Sequence, residues 1–468
     1  MEPTDSRYRI GSWGTQPVMS RSGQAQRGAA GSLLLVAVVI ALIVVIAVAT
    51  MTRDEQVSAP DSDLGRSPAR ADGVATAAEE SINQYWEREF PAVYHREFTR
   101  LRGGFQPETA LSPPFSCNGQ RLTYDDLRGN AFYCGGPNDD YIAWDAAGLF
   151  PRLADEFGGI APAVVLAHEM GHAIQRRARV EAPSVVIELQ ADCFAGSWVR
   201  FAETSTDDPV NLTEGALDSA VGTILTLRDQ PGTAATNPQA HGLGFDRVNA
   251  FQTGYEAGAG RCATFPDRGV VTTELPFRTV IEARTGGNLP FTKAVGFLTD
   301  QLDRFWISEL PNVAAGNVFQ RPLRRPQDAG PLPDCAKPGG ISGYCPDLNA
   351  AIWVVPDLAQ VHERIGDLAT GTELSEAWGV AAQSQADLPV DGRAASLQRD
   401  CFTGAWVAEL AAAGQEQSLL SPGDVDEVLA TIVADSYSPI ADSTDSGGAF
   451  ERTRALRKGI FEGSCPAG

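Results

Sequence analysis

The sequence predicts a mainly helical α+β fold, present twice in tandem behind an N-terminal transmembrane helix. Three observations predict it. An apolar segment beginning at Ile160 runs at helical length into the basic stretch Arg176, Arg177 and Arg179, and 213–228 repeats an amphipathic helical pattern opened by Thr213. A framework of aromatics, glycines and cysteines recurs in the second half. An unbroken apolar run, Leu33 to Ala49, lies between two low-complexity flanks.

In chain order, residues 1–31 read as a cytoplasmic tail, 32–51 as a transmembrane anchor and 52–75 as a flexible linker rich in Ser, Pro, Asp and Ala. At about 1.5 Å per residue the apolar run crosses most of a roughly 30 Å hydrocarbon layer. Arg7, Arg9, Arg21 and Arg27 precede it, which keeps the N-terminus in the cytoplasm and exports the rest as a single-pass cell-membrane protein. The rival is a cleaved signal peptide, since Ala47-Val48-Ala49 resembles a cleavage site; the long N-terminal arm favours the anchor. Residues 76–266 then form a first domain, 267–290 a linker, and 291–468 a second domain. Short aromatic segments at 131–134 and 141–144 supply the β portion, an edge strand beside the principal helix.

That helix carries the chemistry. Ala167-His168-Glu169-Met170-Gly171-His172 places two imidazoles one turn apart on one helix face, with a carboxylate beside the first. His168 and His172 can close on one metal ion, and Glu169 can reach a water bound to it, which is the logic of the zinc signature His-Glu-x-x-His. A catalytic zinc takes a third protein ligand and keeps one position open. Glu188 of Glu188-Leu189-Gln190-Ala191-Asp192, on the next helix, is the candidate; the plainer reading leaves it a solvated helix residue. Asp192, one turn further, suits a hydrogen bond to the distal nitrogen of a ligating histidine.

These two motifs, His-Glu-Met-Gly-His-Ala-Ile-Gln and Glu-Leu-Gln-Ala-Asp-Cys-Phe-Ala-Gly, resemble those of the bacterial neutral zinc metallopeptidases, which share the two-helix ligand logic of the gluzincins. His241-Gly242 with Phe245, Arg247, Phe251 and Gly254 is similar to that family's C-terminal stretch, so the resemblance covers about 76–265. It implies a zincin fold, zinc, and peptide-bond hydrolysis without a particular substrate.

The second half repeats the framework without the chemistry. Tyr85-Trp86 recurs as Phe305-Trp306, Tyr133-Cys134 as Tyr344-Cys345, and Leu189 to Phe194 as Leu397 to Phe402; Phe245, Arg247, Gly254 and Cys262 recur as Phe450, Arg452, Gly459 and Cys465. With Glu373 set against Glu169, the ligands become Thr372, Glu376 and Ser396, while Asp400 keeps the place of Asp192. The second copy therefore reads as a metal-free pseudo-peptidase, and one Zn2+ is expected, in the first domain only. His241, opposite Ser446, vanishes with the ligands; it is either an oxyanion donor or an ordinary loop histidine. Tyr133 persists in both copies, which points to packing, and His95 and His362 read as surface residues.

A bridge inside each copy must recur in its duplicate, so the eight cysteines are expected to pair as Cys117–Cys134, Cys193–Cys262, Cys335–Cys345 and Cys401–Cys465. Such bridges persist in an oxidising compartment. A formal net charge of −22 argues against nucleic acid as a partner. The expected function is a membrane-anchored, extracytoplasmic zinc metallopeptidase in which Glu169 acts as base on a peptide or protein substrate. The alternatives are a non-catalytic scaffold ectodomain and a zinc hydrolase of a non-peptide substrate.

Overall fold

A computed structural model describes residues 68–468 apart from 211, 214, 234–236, 238–239, 274, 413–418, 437–445, 464 and 466–468. The apolar run read as a membrane anchor lies outside the described residues, and no described helix is long and apolar enough to cross a membrane.

Helix α1 (Pro68–Tyr94) sets Ile82, Trp86 and Phe90 one turn apart and buries all three. A small sheet follows, from β1 (Gly104–Glu108), β4 (Ala131–Gly135) and β5 (Asp140–Asp145) in the order β1-β5-β4. Strand β1 runs parallel to β5 and β4 antiparallel, so β4 is an outer strand, as expected of the aromatic segment at 131–134. A hairpin of β2 (Phe115–Cys117) and β3 (Gln120–Leu122) is stapled to β4 through Cys117–Cys134, and a single turn, α2 (Tyr124–Leu127), leads into β4.

Helices then dominate: α3 (Leu149–Phe157), α4 (Ile160–Ala178), α5 (Ser184–Thr204), α6 (Ala216–Thr226), α7 (Gly244–Cys262) and the short α8 (Phe265–Arg268). Nearly every residue of α4 is buried up to Gln175, because its apolar residues surround it rather than forming one stripe; it is the central rod of this half. Arg176 and Arg177 close its last turn, and Arg179 stops it in the left-handed conformation at φ 59°. Helix α6 starts at Ala216, after Gly215 at φ 80°, and so begins later than the expected Thr213 start. Helices α5 and α7 touch backbone to backbone. A Cβ on Gly254 would stand 1.7 Å from the Cys193 carbonyl oxygen, so only glycine permits the approach that the Cys193–Cys262 bridge locks.

Residues 267–290, read as a linker, are bonded to both halves. Thr273 donates to Asp246, Arg278 to the Leu420 carbonyl and the Leu289 amide to Asp367; the segment also carries the capped helix α9 (Val280–Thr285). Beyond it come α10 (Phe291–Val313), β6 (Leu323–Gln327), β7 (Lys337–Gly339), β8 (Ser342–Cys345), β9 (Ala350–Val354), α11 (Val355–Arg364), α12 (Asp367–Gln385), α13 (Arg393–Ala412), α14 (Asp424–Ser436) and α15 (Ala449–Glu462). Their sheet has the order β6-β9-β8-β7, with β6 parallel to β9. Strand β6 is an edge strand of this sheet, a position where Pro326 costs no central hydrogen bond. The expected α+β architecture is present, all four disulfides form as expected, and no cysteine is free. One hydrophobic core runs through both halves, from Trp86 and Phe194 to Trp306 and Phe402.

Candidate metal centre

Helices α4 and α5 cross where Gly171 packs on Ala191; a Cβ on Gly171 would come within 2.8 Å of the Ala191 Cα. This close crossing brings the histidine face of α4 against Glu188 and Asp192 of α5. His168 Nε2 lies 3.3 Å from one Glu188 oxygen, and His172 Nε2 lies 3.6 Å from the other. Ligand atoms about 2.0–2.2 Å from a tetrahedral zinc stand roughly 3.3–3.6 Å from one another. Glu188 thus stands at zinc-ligand spacing from each imidazole, and the chemistry of two imidazoles and a carboxylate suits that ion.

The distal ring nitrogens are held as well. His168 Nδ1 bonds Asp192 at 2.8 Å, and His172 Nδ1 bonds the Gln175 side-chain oxygen at 2.9 Å. Gln175 is anchored in turn by donating to the Ile187 carbonyl, one residue before Glu188. Asp192 is fully buried and receives a two-pronged bond from Arg247 of α7, at 2.8 and 2.9 Å; the third guanidinium nitrogen donates to the Leu227 carbonyl. A fork of this kind fixes the carboxylate plane as well as its charge.

Electrostatics follow from this packing. Burial alone would lower the His168 imidazole, but Asp192 and Glu188 overcome it and raise it to about 10. Burial pushes Glu188 up, yet the bond from His168 and the charges of both imidazoles hold it well below the usual carboxylate range. A metal ligand must be deprotonated, so binding of an ion by His168 would release this proton from its imidazole. Burial raises Glu169, against the pull of the neighbouring imidazoles.

Two carboxylates lie close enough to compete for the metal. Glu169 brings an oxygen within 4.8 Å of the imidazole nitrogens. However, one of its oxygens accepts the Tyr133 backbone amide of β4 at 2.8 Å, whereas Glu188 stands at ligand spacing from both rings. The Tyr133 hydroxyl packs away onto Asp140, so its side chain is structural while its amide touches the site. His241 is placed in the loop before α7, half exposed, with Nδ1 on Asp229 at 3.2 Å. The Asp229 bond raises its imidazole against burial, and the Glu188 charge adds to the rise. His95 is exposed as expected; His362 is not, for it is half buried against Phe291 and Thr370.

Sequence reasoning missed Gln175 and Asp229 as supporting residues and gave Arg247 no role. Gln175 carried a signal, lying three residues after His172 on the same face. Asp229 carried none, because its loop position relative to His241 is set by tertiary packing.

In the second half the expected register of α12 is corrected by one turn. Gln383 donates to the Ala395 carbonyl as Gln175 does to Ile187, and Gly379 faces Arg399 where Gly171 faces Ala191. By these contacts Glu376, not Thr372, stands where His168 does, and Val380, not Glu376, where His172 does. Arg399 reaches into this space, donating to Glu376 at 2.7 Å and to the Val390 carbonyl. Its guanidinium is thereby fixed between α12 and the chain at Val390. A second buried cluster, Asp367, Asp424 and Glu427, contains no histidine, and its carboxylates accept from Leu289, Ser421 and Leu368 amides.

Two imidazoles and a carboxylate from a crossed helix pair, with a second glutamate beside an outer strand, make up a candidate metal centre. The chain belongs to the family described as putative neutral zinc metallopeptidase, whose model matches residues 6–265 and so begins ahead of the apolar run. The uncharacterized protein Rv2575 of Mycobacterium tuberculosis is 30% identical over 250 residues, 46% of this chain and 78% of that one. The uncharacterized protein YpfJ of Escherichia coli K12 is 26% identical over 267 residues, 51% of this chain and 87% of its own length. No solved structure matches the chain.

Proposed function

We propose that this chain is a zinc-dependent peptidase that binds one ion through His168, His172 and Glu188. The observation that carries this reading is the placement of the two Glu188 oxygens at 3.3 and 3.6 Å from the two Nε2 atoms. Zinc held there supplies a Lewis acid and a water acidified towards a pKa of about 7. Glu169 moves the proton: one oxygen is held by the Tyr133 amide, and the other takes a proton from the attacking water and returns it to the leaving nitrogen. Asp192 and Gln175 orient the two imidazoles, and Arg247 keeps Asp192 ionised and in plane. His241, raised by Asp229, donates to the carbonyl oxygen as it gains charge. The outer edge of β4 faces Glu169 and receives an extended peptide by backbone pairing.

Residues 291–468 are read as a metal-free copy of the same fold. Supporting this are the Arg452–Asp400 fork at 2.9 Å, the like of Arg247–Asp192, and edge-to-face pairs Trp86–Phe194 and Trp306–Phe402. The bridges Cys193–Cys262 and Cys401–Cys465 also join corresponding helices or their ends. The four disulfides and the apolar run at 33–49 support an extracytoplasmic, membrane-anchored location. The test is to assay the full chain on fluorescein-labelled denatured casein with and without His168→Ala and His172→Ala. Zinc-dependent release of peptides, lost in both variants, is expected. Stoichiometric zinc without any cleavage of casein or of a broad peptide library would point to a non-peptide substrate.

A further inference from the structure

We infer that Asp426, which belongs to the second half, is a positioning residue for the metal site of the first. This rests on the zinc-peptidase reading above and adds a residue that the metal-bearing half cannot supply for itself. The first N–H groups of a helix need a partner, commonly a side chain at the N-cap. Helix α7 begins after Leu243, which has no side-chain acceptor to offer. Its first two amides, Gly244 and Phe245, instead donate at 2.8 Å each to the two oxygens of Asp426 on α14. A carboxylate there also complements the positive end of the helix dipole.

Helix α7 is the element on which the site depends. Arg247, one turn in, holds both oxygens of Asp192, and Asp192 holds His168. His241 sits just ahead of the same helix start, its amide and that of Gly242 both tied to Asp229. Asp426 therefore sets the register of the helix start from which both Arg247 and His241 are aimed.

The contact has a counterpart that provides an internal control. On the other side of the interface α15 begins after Gly448, again without a capping side chain, and the Phe450 amide donates at 2.8 Å to Asp218 of α6. Other contacts join α7 and α15: Phe245 lies tilted against Phe461, Phe450 meets Tyr255 edge-on, and Gln252 donates to Phe450 and Thr453. Contacts that recur with the partners exchanged are the signature of a two-fold interface. Asp218 caps α15 through the Phe450 amide as Asp426 caps α7 through two amides, but only Asp426 caps the helix that reaches the metal site. Asp218 lies at the end of α6 remote from Leu227 and Asp229.

The experiment compares Asp426→Asn, Asp426→Glu and Asp218→Asn in the full chain in detergent micelles. The first readout needs neither metal nor turnover: the ring 15N–1H signals of His168 and His241 in histidine-labelled, metal-free protein. Asp426→Asn is expected to move both signals, Asp426→Glu to move them less, and Asp218→Asn to leave them in place while lowering the unfolding temperature comparably. The second readout is cleavage of labelled casein by the zinc-loaded chain. Here kcat is expected to fall on the order of tenfold to a hundredfold in Asp426→Asn, with KM changed far less, and to hold in Asp218→Asn. Equal behaviour of the two asparagine variants in the ring signals would overturn the positioning role and leave both residues as interface contacts. A parent chain that cleaves nothing, while Asp426→Asn still moves the ring signals, would overturn the peptidase reading and leave the positioning role standing.

Discussion

Replacing Glu169 with Gln is expected to leave zinc content and fold unchanged while turnover falls by about 10²- to 10⁴-fold, the usual contribution of a positioned general base. The amide is nearly the same shape as the carboxylate and can still accept the Tyr133 N–H, so the strand-to-helix contact at 2.8 Å survives. What it loses is the capacity to take a proton. Burial also makes the exchange inexpensive for the fold, since a neutral side chain is easier to bury than the charge it replaces. Steady-state cleavage of labelled casein, with zinc measured on the same samples, checks this. Full activity in the glutamine variant would remove Glu169 from the proton transfer.

Arg247→Met carries the second large effect, and it falls on stability and metal together. Arg247 and Asp192 are both buried, and the guanidinium satisfies the two oxygens of a carboxylate that otherwise meets only His168. Breaking a buried pair by removing one partner costs about 3–5 kcal/mol, most of it from the charge left behind. Freeing Asp192, which orients His168, is also expected to weaken metal affinity by about 10- to 100-fold. Denaturant unfolding and competitive zinc titration measure the two separately. Arg452→Met, which breaks the matching Asp400 fork in the second half, is expected to destabilise the chain while leaving zinc binding intact. Equal loss of zinc in both variants would mean that the metal responds only to general unfolding.

How much of this was legible beforehand depends on how local each feature is. The spacing of His168, Glu169 and His172 is a property of one helix, and that of Glu188 and Asp192 of the next, so which side chains share a helix face could be read from period alone. The disulfide pairs were legible because the framework repeats. Asp229 and Asp426 were not. Each acts on a backbone amide or ring brought near by tertiary packing, and an aspartate in a polar stretch carries no sign of such a partner. The register of α12 failed for a related reason. Glu373 is the anchor set against Glu169, but in the frame that the contacts of α12 define Ala377 takes that place, so no side chain of the motif remains to fix the register from sequence. Only the contacts of α12 with α13, through Gln383 and Gly379, fix it.

The central claim is that Glu188 completes a three-residue zinc site with the two histidines. Zinc stoichiometry and X-ray absorption on the full chain, compared with Glu188→Ala, test it most directly. The account predicts one zinc per chain, bound by two imidazoles with oxygen completing the shell, and its loss or marked weakening in the variant. Zinc retained by Glu188→Ala at parent affinity, with an unchanged absorption edge, would contradict it.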